Sequence, residues 1–449
     1  MSTDSYTALV NQPLGRTLAK ALGLPQPVTL RRHAPGAPLV EGSVLVIGGG
    51  PAADRVAEQL LDWGQDVRRH PAAQDRYGAI VAAFDDVGTP ADLSSTALQL
   101  GSVQRQLGPS GRVVTLFKDP AGTPDPAVRA ARKGVEGLTR SLAHEMRQGA
   151  TANGIVLGED VPPGAPGAIG ALRFLLSARS AFVSGQFIPV SSADGAAPRD
   201  WDRPLAGRIA VVTGAARGIG AAIAGILHRD GATIVGVDVP AAGEGLADVV
   251  NALSGSALQL DITAPDAGER ILAHCRERHG RLDIVVHNAG ITRDRKLANM
   301  DAAQWDSVIA VNIESQLAMN RAFLAATGDG VVAPGLRIAS LASTSGIAGN
   351  AGQTNYAASK AAVIGMVSAT APLMTGGGTI NAVAPGFIET EMTARMPFLT
   401  REVARRMNSL SQGGRPVDVA EAVSFLVSDA AGGTSGATLR VCGQGIMGA

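Results

Sequence analysis

The stretch "RIAVVTGAARGIGAAIAGILHRDGATIVGVD", residues 208–238, combines the signals of a strand, a turn, a helix and a second strand. "IAVV" is a short apolar run typical of a buried strand, and "TGAARGIG" is a glycine-rich turn. An amphipathic helix and the apolar strand "TIVGVD" follow. Strands that alternate with helices of this length favour a parallel sheet with helices on both faces. The stretch therefore predicts an α/β, doubly wound fold.

A second strand–helix series precedes this one. It begins with "SVLVIGGGPAADRVAEQLLDWG" at Ser43, and a polar Pro/Gly-rich stretch separates the two series. We predict two doubly wound parallel-sheet domains, of which the first is a shortened, flavodoxin-like one. The predicted boundaries are an N-terminal arm at 1–42 with a short helix near 14–22, a degenerate Rossmann or flavodoxin-like domain at 43–194, a linker at 195–207, and a Rossmann-fold domain at 208–449.

The two series are similar to each other in sequence. "ATANGIVLG" (150–158) aligns with "GTINAVAPG" (378–386), 228 residues later. "FLLSARSAFVSG" (174–185) aligns with "FLVSDAAGGTSG" (425–436), 251 residues later, whereas the glycine turns are only 166 apart. The growing offset predicts that the first copy lacks one or two strand–helix units, since a βαβ unit takes about 30 residues.

Composition excludes several classes of protein. The 449 residues are 45% hydrophobic and 17% charged with no net charge, so no basic surface for nucleic acid is indicated. The sequence contains no uninterrupted apolar run of about 18 residues, so we predict no membrane span. The N-terminus lacks a signal-peptide pattern. Cys275 and Cys442 are isolated, which is typical of reduced thiols and not of a metal site. We expect a cytoplasmic protein without a metal.

The glycine turn at 213–220 has the pattern of a dinucleotide-binding site. Gly214 allows a tight turn, Gly218 lets the backbone approach a pyrophosphate, and Gly220 permits close packing of the helix. Arg217 and Ile219 lie in the same turn, and the helix N-terminus attracts the phosphates. A glycine pattern alone is often only a turn, but here the strand, turn, helix and a downstream acid agree.

That acid is Asp238, which ends the strand "TIVGVD" 18 residues after Gly220. A carboxylate at this position accepts hydrogen bonds from the ribose hydroxyls and repels a 2′-phosphate, so NAD is favoured. Arg217 supports NADP instead, because a basic residue in the turn can hold that phosphate. A simple strand-end turn is the alternative interpretation of Asp238.

Tyr356 and Lys360 are four residues apart, which places both on one face of a helix. A tyrosine has an ordinary pKa of about 10, and a nearby lysine cation would lower that pKa toward neutrality. Ser343 lies 13 residues upstream, where its hydroxyl could polarise a substrate carbonyl. A surface Tyr–Lys pair on an amphipathic helix is the alternative.

Several motifs together point to a family. "TGAARGIG", "HNAG", Asn312, Ser343, "YAASK" and "PGFIETEMT" occur in the order and spacing of short-chain dehydrogenases/reductases, and residues 205–449 resemble that family almost end to end. "GITRDRKLANM" and "SGIAGNAGQTNYAASK" resemble 3-oxoacyl-(acyl carrier protein) reductases in particular. The long chain and the ending "LRVCGQGIMGA" resemble their high-molecular-weight type.

This resemblance implies roles for matching residues. Tyr356 would be the general acid, Lys360 would lower its pKa and bind the nicotinamide ribose, Ser343 would orient the carbonyl, and Asn312 would hold a water of a proton relay. The remaining implied cofactor contacts are Asn288, Ala289 and Gly290 on the adenosine side, Asp261 and Ile262 at the adenine, and Pro385, Gly386, Ile388 and Thr390 at the carboxamide.

Two features depart from the family pattern. His287 stands where a second asparagine is usual, and we interpret it as a half-buried residue beside the cofactor. Pro372 and three nearby glycines interrupt the helix after the active site, which leaves the length of that helix open.

The first copy lacks the same chemistry. At the offset of 228, Tyr356 corresponds to Val128 and Lys360 to Arg132, so no phenol remains to transfer a proton. We expect a structural role for the first domain, in packing, oligomerisation or placement of a carrier protein. A nucleotide or flavin site in that domain is the alternative.

The resemblance implies reduction of 3-oxoacyl thioesters, on acyl carrier protein or CoA, to 3-hydroxyacyl thioesters in fatty-acid metabolism. Asp238 favours NADH as the reductant. One alternative is an NAD-dependent 3-hydroxyacyl-CoA dehydrogenase working in the oxidative direction, and another is a non-catalytic NAD-binding scaffold. We expect a homodimer formed through helices near 301–326 and 355–370, with the apolar tail 445–449 near a neighbouring subunit's site.

Overall fold

The computed structural model describes residues 4–445, and these form two compact units. The first unit comprises the described residues of Met1–Ala197, Met392–Gly414 and Val441–Ala449, and the second comprises Pro198–Glu391 and Arg415–Arg440. Two late segments thus join the first unit, although the sequence placed them in 208–449. The boundaries drawn from the sequence stay a prediction, and the predicted role of the tail falls on 446–449, outside the described residues.

The first unit contains the N-terminal arm and a six-stranded sheet. The helix expected near 14–22 is present at Pro13–Ala21. The helices and strands in chain order are α1 (Ser5–Val10), α2 (Pro13–Ala21), β1 (Ser43–Ile47), α3 (Pro51–Asp62), β2 (Val67–Arg68), β3 (Tyr77–Ala83), α4 (Leu93–Val103), β4 (Leu107–Lys118), α5 (Pro126–Glu145), β5 (Thr151–Leu157), α6 (Pro166–Leu176) and β6 (Phe187–Val190).

The second unit is built on a seven-stranded sheet. Its helix α13 ends at Thr370, two residues before Pro372, and a short 3₁₀ turn follows. The elements in chain order are β7 (Ile209–Thr213), α7 (Gly218–Arg229), β8 (Thr233–Asp238), α8 (Gly243–Ala252), β9 (Ser256–Gln259), α9 (Ala267–His279), β10 (Leu282–His287), α10 (Ala302–Ile309), α11 (Ser315–Ala325), β11 (Val332–Leu341), α12 (Ser345–Ala348), α13 (Thr354–Thr370), β12 (Thr379–Pro385), α14 (Glu391–Ala394), α15 (Phe398–Arg406, part of the first unit), α16 (Pro416–Leu426) and β13 (Thr438–Val441).

The strand orders confirm two α/β doubly wound sheets. The first sheet has the order β2-β1-β3-β4-β5-β6 with parallel neighbours, and the second has β13-β12-β11-β10-β7-β8-β9. The second contains the 3-2-1-4-5-6 order of a Rossmann fold. The first has the 2-1-3-4-5 order that a flavodoxin-like sheet requires, although the flavodoxin-like assignment itself stays a prediction.

The two sheets differ by one strand at one edge. Reading the first sheet backwards gives the order of the second without β9, so the shorter copy lacks the strand that corresponds to β9. Equivalent strands begin at Ser43 and Ile209, and at Thr151 and Thr379, which reproduces the offsets of 166 and 228. The repeat found in the sequence is therefore a repeat of structure.

Both sheets bury apolar strands under helices. Val211, Val235, Val285 and Ile338 are fully buried in the second unit, and the turns that follow such strands meet at one edge because the strands are parallel. This edge positions the site described below. Within 4–445, no helix combines the length and the apolar character that crossing a membrane requires.

Candidate active site

The glycine turn after β7 has the geometry that the sequence predicted. Gly214 and Gly218 adopt φ values of 66° and 61°, in the left-handed region that favours glycine. A Cβ on Gly220 would lie 2.0 Å from the Gly214 carbonyl oxygen, so the helix can start this close to the strand only without a side chain. A Cβ on Gly218 would meet nothing within 4 Å, which leaves the N-terminus of α7 open to a ligand.

Asn288 fastens this turn to β10. Its amide Nδ2 donates to the carbonyl oxygens of Thr213 and Gly214, both at 3.0 Å. The Thr213 hydroxyl accepts from the backbone N–H groups of Asn288 and Ala289 at 3.0 and 3.1 Å. A Cβ on Gly290 would lie 3.5 Å from Lys360 Nζ. The "NAG" segment therefore joins the glycine turn to the Tyr–Lys helix.

Asp238 is the last residue of β8, and Asp261 follows the neighbouring strand β9. Asp238 accepts from the backbone N–H of Ala216 at 3.0 Å, so its carboxylate lies against the glycine turn. Asp261 is exposed and accepts from the backbone N–H and hydroxyl of Thr263, whereas Ile262 is buried in the core. Arg217 is exposed at the N-cap of α7.

The Tyr–Lys pair lies on α13, beside the end of β11. The Lys360 ammonium donates to the carbonyl oxygen of Leu341 at 2.6 Å and lies 5.7 Å from the centroid of the Tyr356 ring. The Tyr356 side chain hydrogen-bonds the Ser343 side chain, which follows β11. The structure thus brings Ser343, Tyr356 and Lys360 together.

The electrostatics of this pair differ from the expectation. Burial raises the pKa of Tyr356 above its ordinary value, the hydrogen bond with Ser343 opposes that rise, and Asp294 adds to it. The pKa of Tyr356 is thus raised, opposite to the expected lowering, and burial lowers the pKa of Lys360 itself to about 8. Because Lys360 is almost fully buried, its charge is costly at this position. A raised pKa keeps Tyr356 protonated at neutral pH, as a proton donor must be.

Asn312 lies in a π-helical turn, Ala310–Glu314, between α10 and α11. Its Nδ2 donates to the Ile291 carbonyl oxygen and to the Ser359 hydroxyl, both at 3.0 Å, and its Oδ1 accepts from the Ile291 N–H at 2.8 Å. The fully buried side chain therefore fixes the segment after β10 to the Tyr–Lys helix. Such π turns are frequent at functional sites.

Three supporting residues were missed in the sequence. Asn355 is fully buried and donates to the carbonyl oxygens of Arg293 and Gln304. Ser359 accepts from Asn312 and donates to the Tyr356 carbonyl oxygen. A Cβ on Gly346 would lie 2.7 Å from backbone atoms of Lys360 and Ala361, so α12 packs against α13 at this glycine. In the sequence, these roles were indicated only by position: Asn355 directly precedes "YAASK", and Ser359 lies within it.

The stretch after β12 carries the remaining predicted cofactor residues. Pro385 ends the strand, and its carbonyl oxygen accepts from the Thr344 N–H at 3.0 Å, next to Ser343. Ile388 is buried, whereas Gly386 and Thr390 are half-buried. This places the start of the stretch beside Ser343.

His287 is more buried than the sequence interpretation assumed. It is 1% exposed, its Nε2 is 2.8 Å from Asn320 Oδ1, and its ring stacks on Phe323. Burial lowers the pKa of His287 to about 4, so the ring is neutral at physiological pH. Among the described residues, no group of three His, Cys, Asp or Glu side chains is placed to hold a metal.

The equivalent edge of the first unit is closed by its own side chains. Arg132, at the position of Lys360, pairs with Glu159 at 2.7 Å and donates to the Asp119 carbonyl oxygen. Thr115 pairs with Gly154 as Ser340 pairs with Ala382, so Lys118 corresponds to Ser343 by strand register. Lys118 donates to the carbonyl oxygens of Gly158, Glu159 and Val161. Val128 corresponds to Tyr356, so neither a hydroxyl nor a phenol remains at these positions.

In comparison with known proteins, the family model and the relatives all match the second half of the chain. A family model described as enoyl-(acyl carrier protein) reductase matches residues 214–444, just over half of the chain. The 3-oxoacyl-[acyl-carrier-protein] reductase of Pseudomonas aeruginosa is 40% identical over 243 residues, which are 53% of this chain and 97% of that protein. The enzyme of the same name from Thermotoga maritima is 36% identical over 251 residues, and that from Escherichia coli is 39% identical over 239, covering 98% and 96% of those proteins.

Proposed function

The chain belongs to the short-chain dehydrogenase/reductase family, and on this basis we propose that it reduces 3-oxoacyl thioesters to 3-hydroxyacyl thioesters with NADH. The proposed substrate carrier is acyl carrier protein or CoA. The relatives that match the second half of the chain are named 3-oxoacyl-[acyl-carrier-protein] reductases. The observation that supports it best is the Ser343–Tyr356–Lys360 group at the sheet edge that carries the glycine turn.

The residues of the edge fit a dinucleotide. The open N-terminus of α7 at Gly218 suits a pyrophosphate, and the Asp238 carboxylate suits the hydroxyls of an unphosphorylated ribose. When bound, NADH supplies the hydride. NADH over NADPH is the finer part of the proposal, and it depends on Asp238 outweighing the exposed Arg217.

The side chains of the site then act on the substrate carbonyl. The Ser343 and Tyr356 hydroxyls are close neighbours, and in the proposed complex both donate to one carbonyl oxygen. As negative charge develops on that oxygen, Tyr356 transfers its proton, and Lys360 stabilises the phenolate that remains. Asn312 and Ser359 hold α13 in position during this step.

The choice between a 3-oxo and an enoyl substrate follows from the same geometry. In a 3-oxoacyl thioester the carbon that accepts the hydride carries an oxygen, which the two hydroxyls can bind. In an enoyl thioester that carbon carries no oxygen. The paired hydroxyls of Ser343 and Tyr356 therefore favour the 3-oxo substrate.

Tyr356→Phe tests the proposal. We expect the variant to lose acetoacetyl-CoA reduction by about 10²–10⁴-fold while it still binds NADH, because only the proton donor is removed. Tyr77→Phe is the matched control, since it removes a tyrosine hydroxyl from the first unit. Undiminished turnover in Tyr356→Phe, or faster reduction of crotonyl-CoA than of acetoacetyl-CoA by the wild type, would refute it.

A homodimer and a cytoplasmic location remain part of the proposal. Light scattering of the purified chain tests the dimer, and a monomer at assay concentrations would refute it.

A further inference from the structure

The segment 392–414 connects two parts of the second unit but belongs to the first. The chain leaves the second unit at Glu391 and returns to it at Arg415. The departure point directly follows Thr390, the last residue of the stretch that the proposed function assigns to the nicotinamide carboxamide. The position of this segment therefore determines where the chain runs immediately after Thr390.

The segment has little apolar packing around its main helix, and its internal polar contacts include the Arg405–Glu402 and Arg406–Glu402 ion pairs. Its main element, α15, has only nine residues, and helices shorter than about 12 residues are marginal alone in water. Three apolar side chains of the helix are largely exposed: Phe398 at 66%, Leu399 at 76% and Val403 at 57%. Its conformation must depend on contacts made by its other residues.

Arg406, the last residue of α15, contacts Glu402 of its own helix at 3.1 Å and residues outside the segment. Its guanidinium donates to both carboxylate oxygens of Asp4 at 2.9 Å and stacks on the Tyr6 ring at 4.6 Å. It also donates to the Ser411 carbonyl oxygen at 2.8 Å. A bidentate arginine–carboxylate pair with a stacked ring fixes both the position and the plane of the guanidinium.

A second contact ties the same region to the arm. Gln412 Nε2 donates to the carbonyl oxygen of Val28 at 2.9 Å. Asn408 donates to the carbonyl oxygens of Arg405 and Gln412, and it forms a bridge with Gly445. The far half of the segment, 406–412, is thus held by residues from the two ends of the described chain.

We propose that the N-terminal arm anchors the segment 392–414 through Asp4, Tyr6 and Arg406, and thereby positions Ile388 and Thr390 for the nicotinamide end of the cofactor. Arg406 and Asp4 are positioning residues in this scheme, which rests on the proposed cofactor. A loosened segment lowers the fraction of molecules with the binding-competent stretch, and the apparent affinity for the cofactor falls by the same factor.

Two mild variants test the anchor in the full chain. Arg406→Gln removes the ion pairs with Asp4 and Glu402. Asp4→Asn removes only the pair with Asp4 and keeps a good helix N-cap for α1. Arg395→Gln is the matched control, an exposed arginine of the same segment. The readouts are the dissociation constant for NADH by fluorescence and the rate of tryptic cleavage after Arg401.

We expect Arg406→Gln and Asp4→Asn to weaken NADH binding about fivefold and to speed cleavage after Arg401, with Arg406→Lys intermediate and Arg395→Gln like the wild type. Faster cleavage with unchanged NADH affinity overturns the positioning role, and no change in either overturns the anchor. A wild-type chain that does not bind NADH refutes the proposed cofactor instead, and the positioning role falls with it.

Discussion

The cost of burying the proposed catalytic lysine can be measured with Lys360→Met. Burial lowers the pKa of Lys360 from 10.5 to about 8. At about 1.4 kcal/mol per tenfold change in proton affinity, that shift is worth roughly 3 kcal/mol. The folded state carries this penalty in full below pH 8, because the lysine is then charged in both the folded and the unfolded chain.

The sign of the pH dependence follows from linkage. Between about pH 8 and 10.5 the unfolded chain binds more protons than the folded one, so the wild type gains stability as pH rises through this window. Methionine has a similar shape and no charge, and it removes the penalty at neutral pH. It also loses the hydrogen bond to the Leu341 carbonyl oxygen, which costs about 1–2 kcal/mol.

We therefore expect Lys360→Met to be more stable than the wild type by about 1–2 kcal/mol at pH 7, and less stable above pH 10. The assay is thermal unfolding of the second unit at a series of pH values from 7 to about 10.5. Lys296→Met, at an exposed lysine of the same unit, controls for removal of a lysine charge. A stability difference that stays constant across this range would refute the reasoning.

Three further predictions concern both units. Asp238→Ser should shift the preference from NADH toward NADPH about tenfold, and an unchanged ratio of the two kcat/KM values would contradict the role of Asp238. NADH should bind with a stoichiometry of one per chain by calorimetry, because Lys118 and Arg132 close the first edge, and a second site would show otherwise. Ala178→Asp should raise the free energy of unfolding of the first unit by about 1 kcal/mol, whereas Ala178→Asn should not. In the second unit Asp429 supplies a carboxylate to Arg337, and the new aspartate would supply one beside buried Arg112.

Local signals determined how much of the fold could be predicted. The strand–turn–helix pattern at 208–238 led to a parallel sheet, because its signals lie within about 30 residues of each other. The other sheet could be predicted because similar sequence recurs at offsets of 166 to 251 residues. The pairing of Asp4 with Arg406 could not be found this way, since 402 residues separate them and neither has a distinctive neighbour pattern. The assignment of 392–414 to the first unit depends on such distant contacts.

For the candidate site, too, the sequence predicted which residues meet but not the environment of their side chains. The sequence identified which residues meet, because "YAASK" fixes Tyr356 and Lys360 on one helix face. It did not give the direction of the Tyr356 pKa, which depends on how deeply the phenol is buried and on where the Lys360 ammonium points. Both are properties of packing, and a spacing rule contains neither.

The two copies differ in how the polar groups at their equivalent sheet edges find partners. The first unit has Lys118 and Arg132 where the second unit has Ser343 and Lys360. These two cations form hydrogen bonds with backbone carbonyl oxygens and with Glu159 of the same unit, and no side-chain hydroxyl lies at either position. An edge satisfied in this way no longer depends on a ligand for its polar partners. This fits the predicted structural role of the first unit, which in our proposal includes holding the segment 392–414 through Asp4 and Arg406.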